Sequence, residues 1–112
     1  MAVKLRCYAD VCLLPIGTPT PSVSKYITEI QLLARNSHLK TTMHSAGTTI
    51  EGEWDEVMDL VGQWHQKVHE MGISRVQSSV RIGTRTDKVQ TAEDKIRSVE
   101  QQLQQRITED EA

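Results

Sequence analysis

The segment HSAGTTIEGEW at residues 44–54 decides the fold of this chain. It places small and polar residues between two apolar segments, where an ordinary strand connection needs only a turn. Gly47 and Gly52 permit tight backbone geometry and the close approach of a ligand or of another backbone segment. The first half of the segment predicts a turn, and residues 48–51 predict a short strand with Ile50 directed inward.

Three further strands are predicted outside this segment. Residues 3–14 alternate between apolar and mostly polar positions, which is typical of a half-buried strand. We expect the proline-rich residues 15–21 to end that strand, because proline cannot continue a ladder. Residues 39–44 and 73–82 alternate in the same way.

Helical spacing separates the strands. Ser22 is predicted to cap a first helix that ends near residues 36–37, and residues 53–71 predict a second helix. Thr91 and Asp94 have the spacing of a capping box for a third helix. Its narrow apolar stripe suits a helix on the edge of the domain or against another chain. The stripe consists of Ile96, Val99, Leu103 and Ile107.

The predicted order is β-α-β-β-α-β followed by a C-terminal helix. Right-handed crossovers then place the two main helices on one face of a four-stranded antiparallel sheet. We therefore predict an α+β, ferredoxin-like fold. The 112 residues suffice for one domain, which we assign to residues 1–107, and residues 108–112 form an acidic tail.

The composition of the chain argues against several classes of function. The net charge of -2 and the pI of about 6.1 do not indicate a nucleic-acid-binding chain. No run approaches the roughly 20 apolar residues of a membrane span, and charged residues interrupt the N-terminal apolar stretch where a signal peptide would lie. Cys7 and Cys12 have an odd separation and face opposite sides of a strand, so they cannot pair. We expect a cytoplasmic protein without a nucleic-acid or membrane partner.

The sheet face away from the two main helices, called here the far face, is predicted to be polar with opposite charges close together. Such a face is either wet or covered by the matching face of a second subunit, with a pocket left between them. The predicted residues of the far face are Lys4, Arg6, Tyr8, Asp10, Thr42, His44, Thr49, Glu51, Arg75, Gln77, Ser79 and Arg81.

Three blocks of this chain resemble the small thiamine-binding-protein family, including its fungal members. The resemblance covers roughly residues 5–105 in one collinear order. It implies a ferredoxin-like fold, dimers that join their sheets and pair into homotetramers, and binding of thiamine or its hydroxymethylpyrimidine part without catalysis. The blocks are ADVC with PIGT at residues 9–12 and 15–18, HSAGTTIEG with WD at residues 44–52 and 54–55, and RIGTRTDK at residues 81–88.

A thiamine site needs a carboxylate for the cation and the amino group, hydroxyls for the ring nitrogens, and an apolar or aromatic wall. Asp10 and Glu51 are the candidate carboxylates, and His44 or Tyr8 could stack on the ligand. The alternative for Asp10 is a salt bridge to an arginine or to a neighbouring subunit, and the alternative for His44 is a hydrogen-bonded strand end. The candidate ligand-binding residues are Asp10, His44, Ser45, Thr48, Thr49 and Glu51.

A second polar block follows the last predicted strand. Its charged residues could hold an anion such as a phosphate, or form a charge network between subunits. These residues are Arg81, Arg85, Asp87 and Lys88. His65 and His69 have the i, i+4 spacing of a metal pair, but no third ligand is evident, so we predict no metal and no cofactor.

No catalytic residues are assigned. The chain lacks a P-loop, a dinucleotide fingerprint and a nucleophile–base arrangement, and only Asp10 with Glu51 could in principle perform acid–base chemistry. We predict a non-catalytic homo-oligomer that binds thiamine or its pyrimidine part at a subunit interface. The alternative is a structural or regulatory homo-oligomer that binds no thiamine.

Overall fold

The computed structural model describes residues 3–111, so Met1, Ala2 and Ala112, which the predicted domain and tail include, lie outside the described residues. The four strands form one antiparallel sheet in the order β2-β3-β1-β4, which confirms the α+β, ferredoxin-like prediction. The elements are β1 Arg6–Ile16, α1 Ser24–Asn36, β2 Lys40–His44, β3 Gly47–Glu53, α2 Trp54–Glu70, β4 Arg75–Thr84 and α3 Ala92–Glu111.

The core lies between the sheet and the helices α1 and α2. Alternation along β1 buries every second residue, and Ile50 of β3 is completely buried beside them. The α2 stripe is buried against the sheet because its apolar residues recur at helical spacing. The buried apolar residues of β1 are Cys7, Ala9, Val11 and Leu13, and those of α2 are Val57, Leu60, Val61, Trp64 and Val68.

Several predicted boundaries were wrong: β1 begins at Arg6 and not at residue 3, and two other differences have a clear physical reason. β1 continues through Pro15, which lies opposite Val76 of β4. β3 pairs with β1 only as far as Val11, so β1 is an edge strand beyond that point and tolerates a residue without an N–H group. Ser22 does not cap α1, because Val23 occupies that position and its carbonyl accepts the first backbone bonds of the helix.

The capping box of α3 is confirmed. The Thr91 N–H donates to Asp94 Oδ2 at 3.0 Å, and the Asp94 N–H donates to Thr91 Oγ1 at 3.1 Å. The backbone hydrogen bond from Thr91, followed by a contribution from the Thr91 side chain, lowers the pKa of Asp94. The helix continues to Glu111 and so includes residues predicted as an acidic tail.

Only the beginning of α3 is covered by the rest of the chain. Residues 91, 92, 94 and 95 are partly buried against the far face, whereas every side chain from residue 96 to residue 110 is exposed. The apolar stripe of α3 is 50–58% exposed at Ile96, Val99, Leu103 and Ile107. The predicted apolar stripe thus exists, and no part of residues 3–111 covers it.

Candidate functional site

The largest group of predicted ligand-binding residues surrounds a pocket at one edge of the sheet. This edge pocket has a volume of about 230 Å³ and is lined by residues 11–14 of β1, by α1 and its preceding Val23, and by residues 43–48 around the β2–β3 turn. It exists because β1 loses its second partner after Val11. Within residues 3–111, the β1 edge that faces the pocket has no ladder partner, so its backbone groups can bind a ligand.

Gly47 brings the β2–β3 turn close to β1. A Cβ atom at this position would lie 2.5 Å from the carbonyl oxygen of Val11, so only glycine permits this approach. The sequence predicted that a ligand or another backbone segment approaches Gly47 closely. In the structure, the segment that does so is the backbone of β1 at Val11. The approach places Ser45 and Thr48 in the lining of the edge pocket.

Thr48 and Gln31 form a hydrogen-bonded polar pair in the lining of the edge pocket. The Thr48 side chain is almost completely buried, and its Oγ1 accepts a hydrogen bond of 2.8 Å from Gln31 Nε2. The hydroxyl hydrogen of Thr48 can therefore be donated to another acceptor. The sequence analysis missed Gln31. It lies one turn after Ile27 on the apolar side of α1, and a polar residue at such a position indicates a buried hydrogen-bond partner or a ligand.

His44 joins the edge pocket to the far face. Its Nδ1 accepts the N–H of Ala46 at 3.2 Å, so its Nε2 carries the hydrogen and donates to Asp10 Oδ1 at 2.6 Å. Both side chains are partly exposed. The partner of Asp10 is therefore His44. His44 lines the edge pocket, whereas Asp10 itself lies behind His44 and lines a concavity of the far face.

A second concavity, the sheet-face cleft, lies on the far face where α3 begins. Its volume is about 400 Å³. Asp10 lines it together with Thr49 and Arg81, which are its register partners on β3 and β4. The remaining walls are Tyr8, Ile82, Gly83, Ala92, Lys95 and Ile96.

Glu51 lies apart from Ser45 and Thr48, at the start of α3. Its side chain is 4% exposed, and Oε1 accepts the N–H of Ala92 at 2.8 Å. Oε2 lies 3.8 Å from Lys40 Nζ. A carboxylate at a helix N-terminus is favoured by the helix dipole and by the unpaired N–H groups there. Within this structure, Glu51 holds α3 against the sheet.

The charged residues of the second polar block, which were predicted to hold an anion or to join subunits, lie in two different concavities. Arg81 lines the sheet-face cleft, whereas Arg85 and Lys88 line a third concavity of about 70 Å³, the cationic pocket, which also contains Glu51. Arg85 binds both oxygens of Asp87 at 2.5 and 2.8 Å. This hydrogen-bonded arginine lowers the pKa of Asp87 to about 2.

The two helix histidines are engaged elsewhere. His65 Nε2 lies 2.9 Å from Ser78 Oγ, and His69 Nδ1 donates to the Ile73 carbonyl at 2.8 Å. Burial is the main reason why the pKa of His65 is lowered, and His69 adds to it. Across the described residues, no three side chains of His, Cys, Asp or Glu come together as a metal site.

The strand order and the edge pocket define a ferredoxin-like α+β protein with a pocket of small-molecule size. The family model described as thiamine-binding protein matches residues 9–100, so this chain belongs to the thiamine-binding protein family. The family is named for binding and not for a catalysed reaction. Within residues 3–111, no helix combines the length and the hydrophobicity needed to cross a bilayer.

Relatives occur in fungi, bacteria and archaea. The chain is 57% identical over 100 residues to the UPF0045 protein ECM15 of Eremothecium gossypii, which covers 89% of this chain and 95% of the relative. It is 45% identical to the UPF0045 protein sll0230 of Synechocystis, over 89% of this chain and 82% of the relative.

Solved structures have the same fold. The crystal structure of the hypothetical protein MJ1052 of Methanocaldococcus jannaschii has a TM-score of 0.77 and 32% identity, over 84% of this chain and 95% of that chain. The Thermotoga maritima protein TM0486 has a TM-score of 0.69 over 84% of this chain and 98% of that chain. Its identity is 19%, so that likeness shows the fold alone.

Proposed function

We propose that this protein binds thiamine, or its hydroxymethylpyrimidine part, in the edge pocket and without catalysis. The observation that carries the proposal is the combination of apolar walls, a buried Thr48–Gln31 pair and an unpartnered strand edge. Membership of the thiamine-binding protein family supports it. The provisional assignment of TM0486 to thiamine biosynthesis or salvage is consistent with it.

The pocket chemistry matches an aminopyrimidine. The two faces of such a ring are apolar, while its amino group donates and its ring nitrogens accept hydrogen bonds along the edge. The unpartnered edge of β1 offers carbonyls and N–H groups in alternation. The Thr48 hydroxyl offers a further donor, because its oxygen already accepts from Gln31.

The pocket size supports different positions for the two rings of thiamine. About 230 Å³ is less than the roughly 300–1,000 Å³ of pockets for drug-sized ligands. The pocket therefore suits the pyrimidine ring, and the thiazolium ring would lie at the rim. Asp10 would supply the negative charge for that cation from behind His44, the lining residue to which it is bonded.

Titration calorimetry with thiamine and with hydroxymethylpyrimidine tests this proposal. Thr48→Val removes the buried hydroxyl and should weaken the binding of both ligands about tenfold or more, because a buried polar partner is left unsatisfied. Thr28→Val is the matched control, because the Thr28 hydroxyl is exposed and bonds only the Ser24 carbonyl in its own helix. Thermal denaturation of both variants separates lost binding from lost folding.

A second variant separates the two ends of the ligand. Asp10→Asn keeps the shape of the rim but removes the charge behind it, so it should weaken binding of the thiamine cation and spare the neutral hydroxymethylpyrimidine. The absence of both heat and thermal shift at millimolar ligand would contradict the proposal. If Thr28→Val weakened ligand binding as much as Thr48→Val does, the proposed position of the pyrimidine ring would be contradicted.

We further propose that the protein assembles as a homo-oligomer, a dimer of dimers, through the far face and α3. The exposed apolar stripe of α3 favours this assembly, since a helix with so little burial in its own chain gains stability from a neighbour. A second copy would also turn the sheet-face cleft into a closed cavity at a subunit interface. Assembly without thiamine binding is the alternative function.

Light scattering tests the assembly. Val99→Gln combined with Leu103→Gln should lower the molar mass, because polar side chains replace the centre of the stripe. Gln101→Ala combined with Gln105→Ala changes the opposite side of α3 and should leave the mass unchanged. A monomeric wild-type protein would contradict the proposal. An oligomer that gives no heat with thiamine would favour the structural alternative.

A further inference from the structure

We propose that the cationic pocket binds a phosphate group, at a place separate from the proposed thiamine site. Four cationic side chains from three parts of the chain converge there: Arg6 from β1, Arg85 and Lys88 from the β4–α3 loop, and Lys95 from the first turns of α3. Proteins bind phosphate with such clusters, because each cation adds a charge-assisted hydrogen bond.

Three of these cations form no salt bridge with a carboxylate. Within residues 3–111, Arg6, Lys88 and Lys95 have no such partner, whereas Arg85 is paired with Asp87. The buried carboxylate of Glu51 is bonded to the N–H of Ala92. Asp87, Glu51 and Glu53, which lies opposite Arg6 on β3, offset three of the four cations and leave an excess of one positive charge around the pocket.

The size and the walls of the cationic pocket suit an oxyanion. A volume of about 70 Å³ accommodates a small oxyanion such as phosphate, but it is far below the roughly 300–1,000 Å³ of pockets for drug-sized ligands. One wall is the Tyr8 ring, with Lys95 Nζ against its hydroxyl and 3.9 Å from its centroid. The ring packs against Gly83, where a Cβ atom would lie 2.5 Å from the phenol oxygen.

The pocket is separate from the edge pocket. The nearest β1 residues of the two pockets are Tyr8 in the cationic pocket and Val11 in the edge pocket, which lie three positions and roughly 10 Å apart. The side chains of successive β1 residues also alternate between the two faces of the sheet. Phosphate and thiamine should therefore bind independently.

Calorimetry and thermal denaturation with inorganic phosphate test the proposal. Phosphate should raise the unfolding temperature of the wild type, sulfate should do the same, and chloride at equal ionic strength should not. Arg6→Gln combined with Lys88→Gln should weaken phosphate binding by at least about tenfold. Arg75→Gln is the control, because Arg75 is an exposed arginine at the other end of the sheet, opposite Ile16.

Further titrations identify the source of the phosphate and keep this proposal separate from the first. Tighter binding of glycerol phosphate than of inorganic phosphate assigns the pocket to a phosphorylated ligand, and the reverse order assigns it to free phosphate. Saturating thiamine should leave phosphate affinity unchanged. The proposal is overturned if chloride raises the unfolding temperature as much as phosphate does. It is also overturned if the double variant binds phosphate as tightly as Arg75→Gln does, including the case in which the double variant has a lower oligomer mass but an unchanged phosphate affinity.

Discussion

Replacement of Gly47 by alanine tests the contact that forms the edge pocket. The added Cβ atom would lie 2.5 Å from the Val11 carbonyl oxygen and 3.1 Å from its carbonyl carbon. Both atoms belong to the backbone of β1, so no side-chain rotation relieves the clash. Overpacking of this kind costs about 1–3 kcal/mol. At about 4 °C per kcal/mol for a domain of this size, the unfolding temperature should fall by about 4–12 °C.

Gly62→Ala is the matched control and should have the opposite effect. Gly62 lies in the interior of α2, is exposed, and has no atom within 4 Å of an added Cβ. Alanine is more favourable than glycine in a helix interior by about 1 kcal/mol. Thermal denaturation followed by circular dichroism should therefore show a rise of about 4 °C. A Gly47→Ala protein that unfolds at the wild-type temperature, or a destabilised Gly62→Ala protein, would refute this reasoning.

Three other predictions concern buried polar groups. Burial raises the pKa of the Cys7 thiol, so iodoacetamide should modify the more exposed Cys12 first; equal rates would be inconsistent with the described burial. Burial lowers the pKa of His65 in the folded state, so its stabilising contribution is present above pH about 6.5 and is lost as the pH falls below that value. An NMR titration that places His65 at or above the pKa of free imidazole would contradict this. Glu51→Gln should accelerate hydrogen exchange at Ala92, because the carboxylate at the α3 N-terminus loses its charge; unchanged exchange would mean that Glu51 does not hold the helix.

The fold could be predicted from the sequence because apolar residues recur at the spacing of a strand or of a helix in each element. The two-residue alternation of β1 assigns Cys7 and Leu13 to the core face, and both are buried. The capping box of α3 requires only residues three positions apart, and it forms as predicted. These signals are local, so no knowledge of tertiary contacts was needed.

The wrong boundaries depend on distant partners. Pro15 can remain in β1 because β3 has already ended beside that strand, which the residues around Pro15 do not reveal. α1 begins at Ser24 because the Val23 carbonyl accepts its first backbone hydrogen bonds. The preference of serine for the N-cap position did not shift the helix start to residue 22. Helix starts and strand ends follow tertiary pairing as well as composition.

The grouping of site residues was only partly accessible from the sequence. Alternation along β3 already places Thr48 and Thr49 on opposite faces of the sheet, so the sequence contained the signal that they face different concavities. The contact between Gln31 and Thr48 crosses 17 residues and is visible only in the folded chain. The position of Glu51 under Ala92 depends on the path of the β4–α3 loop.

The polar far face has one occupant within the described chain, the beginning of α3, and Glu51 is the residue that fixes it. A buried carboxylate bonded to a helix N-terminus orients that helix over the sheet. The following residues 96–110 have no burial of their own, and full burial of one Val, Leu or Ile side chain is worth about 1.5–3 kcal/mol. The stabilisation that this stripe can still supply therefore depends on a neighbouring surface outside residues 3–111. By fixing the helix, Glu51 would link the far face to subunit assembly, while the edge pocket remains free for a ligand.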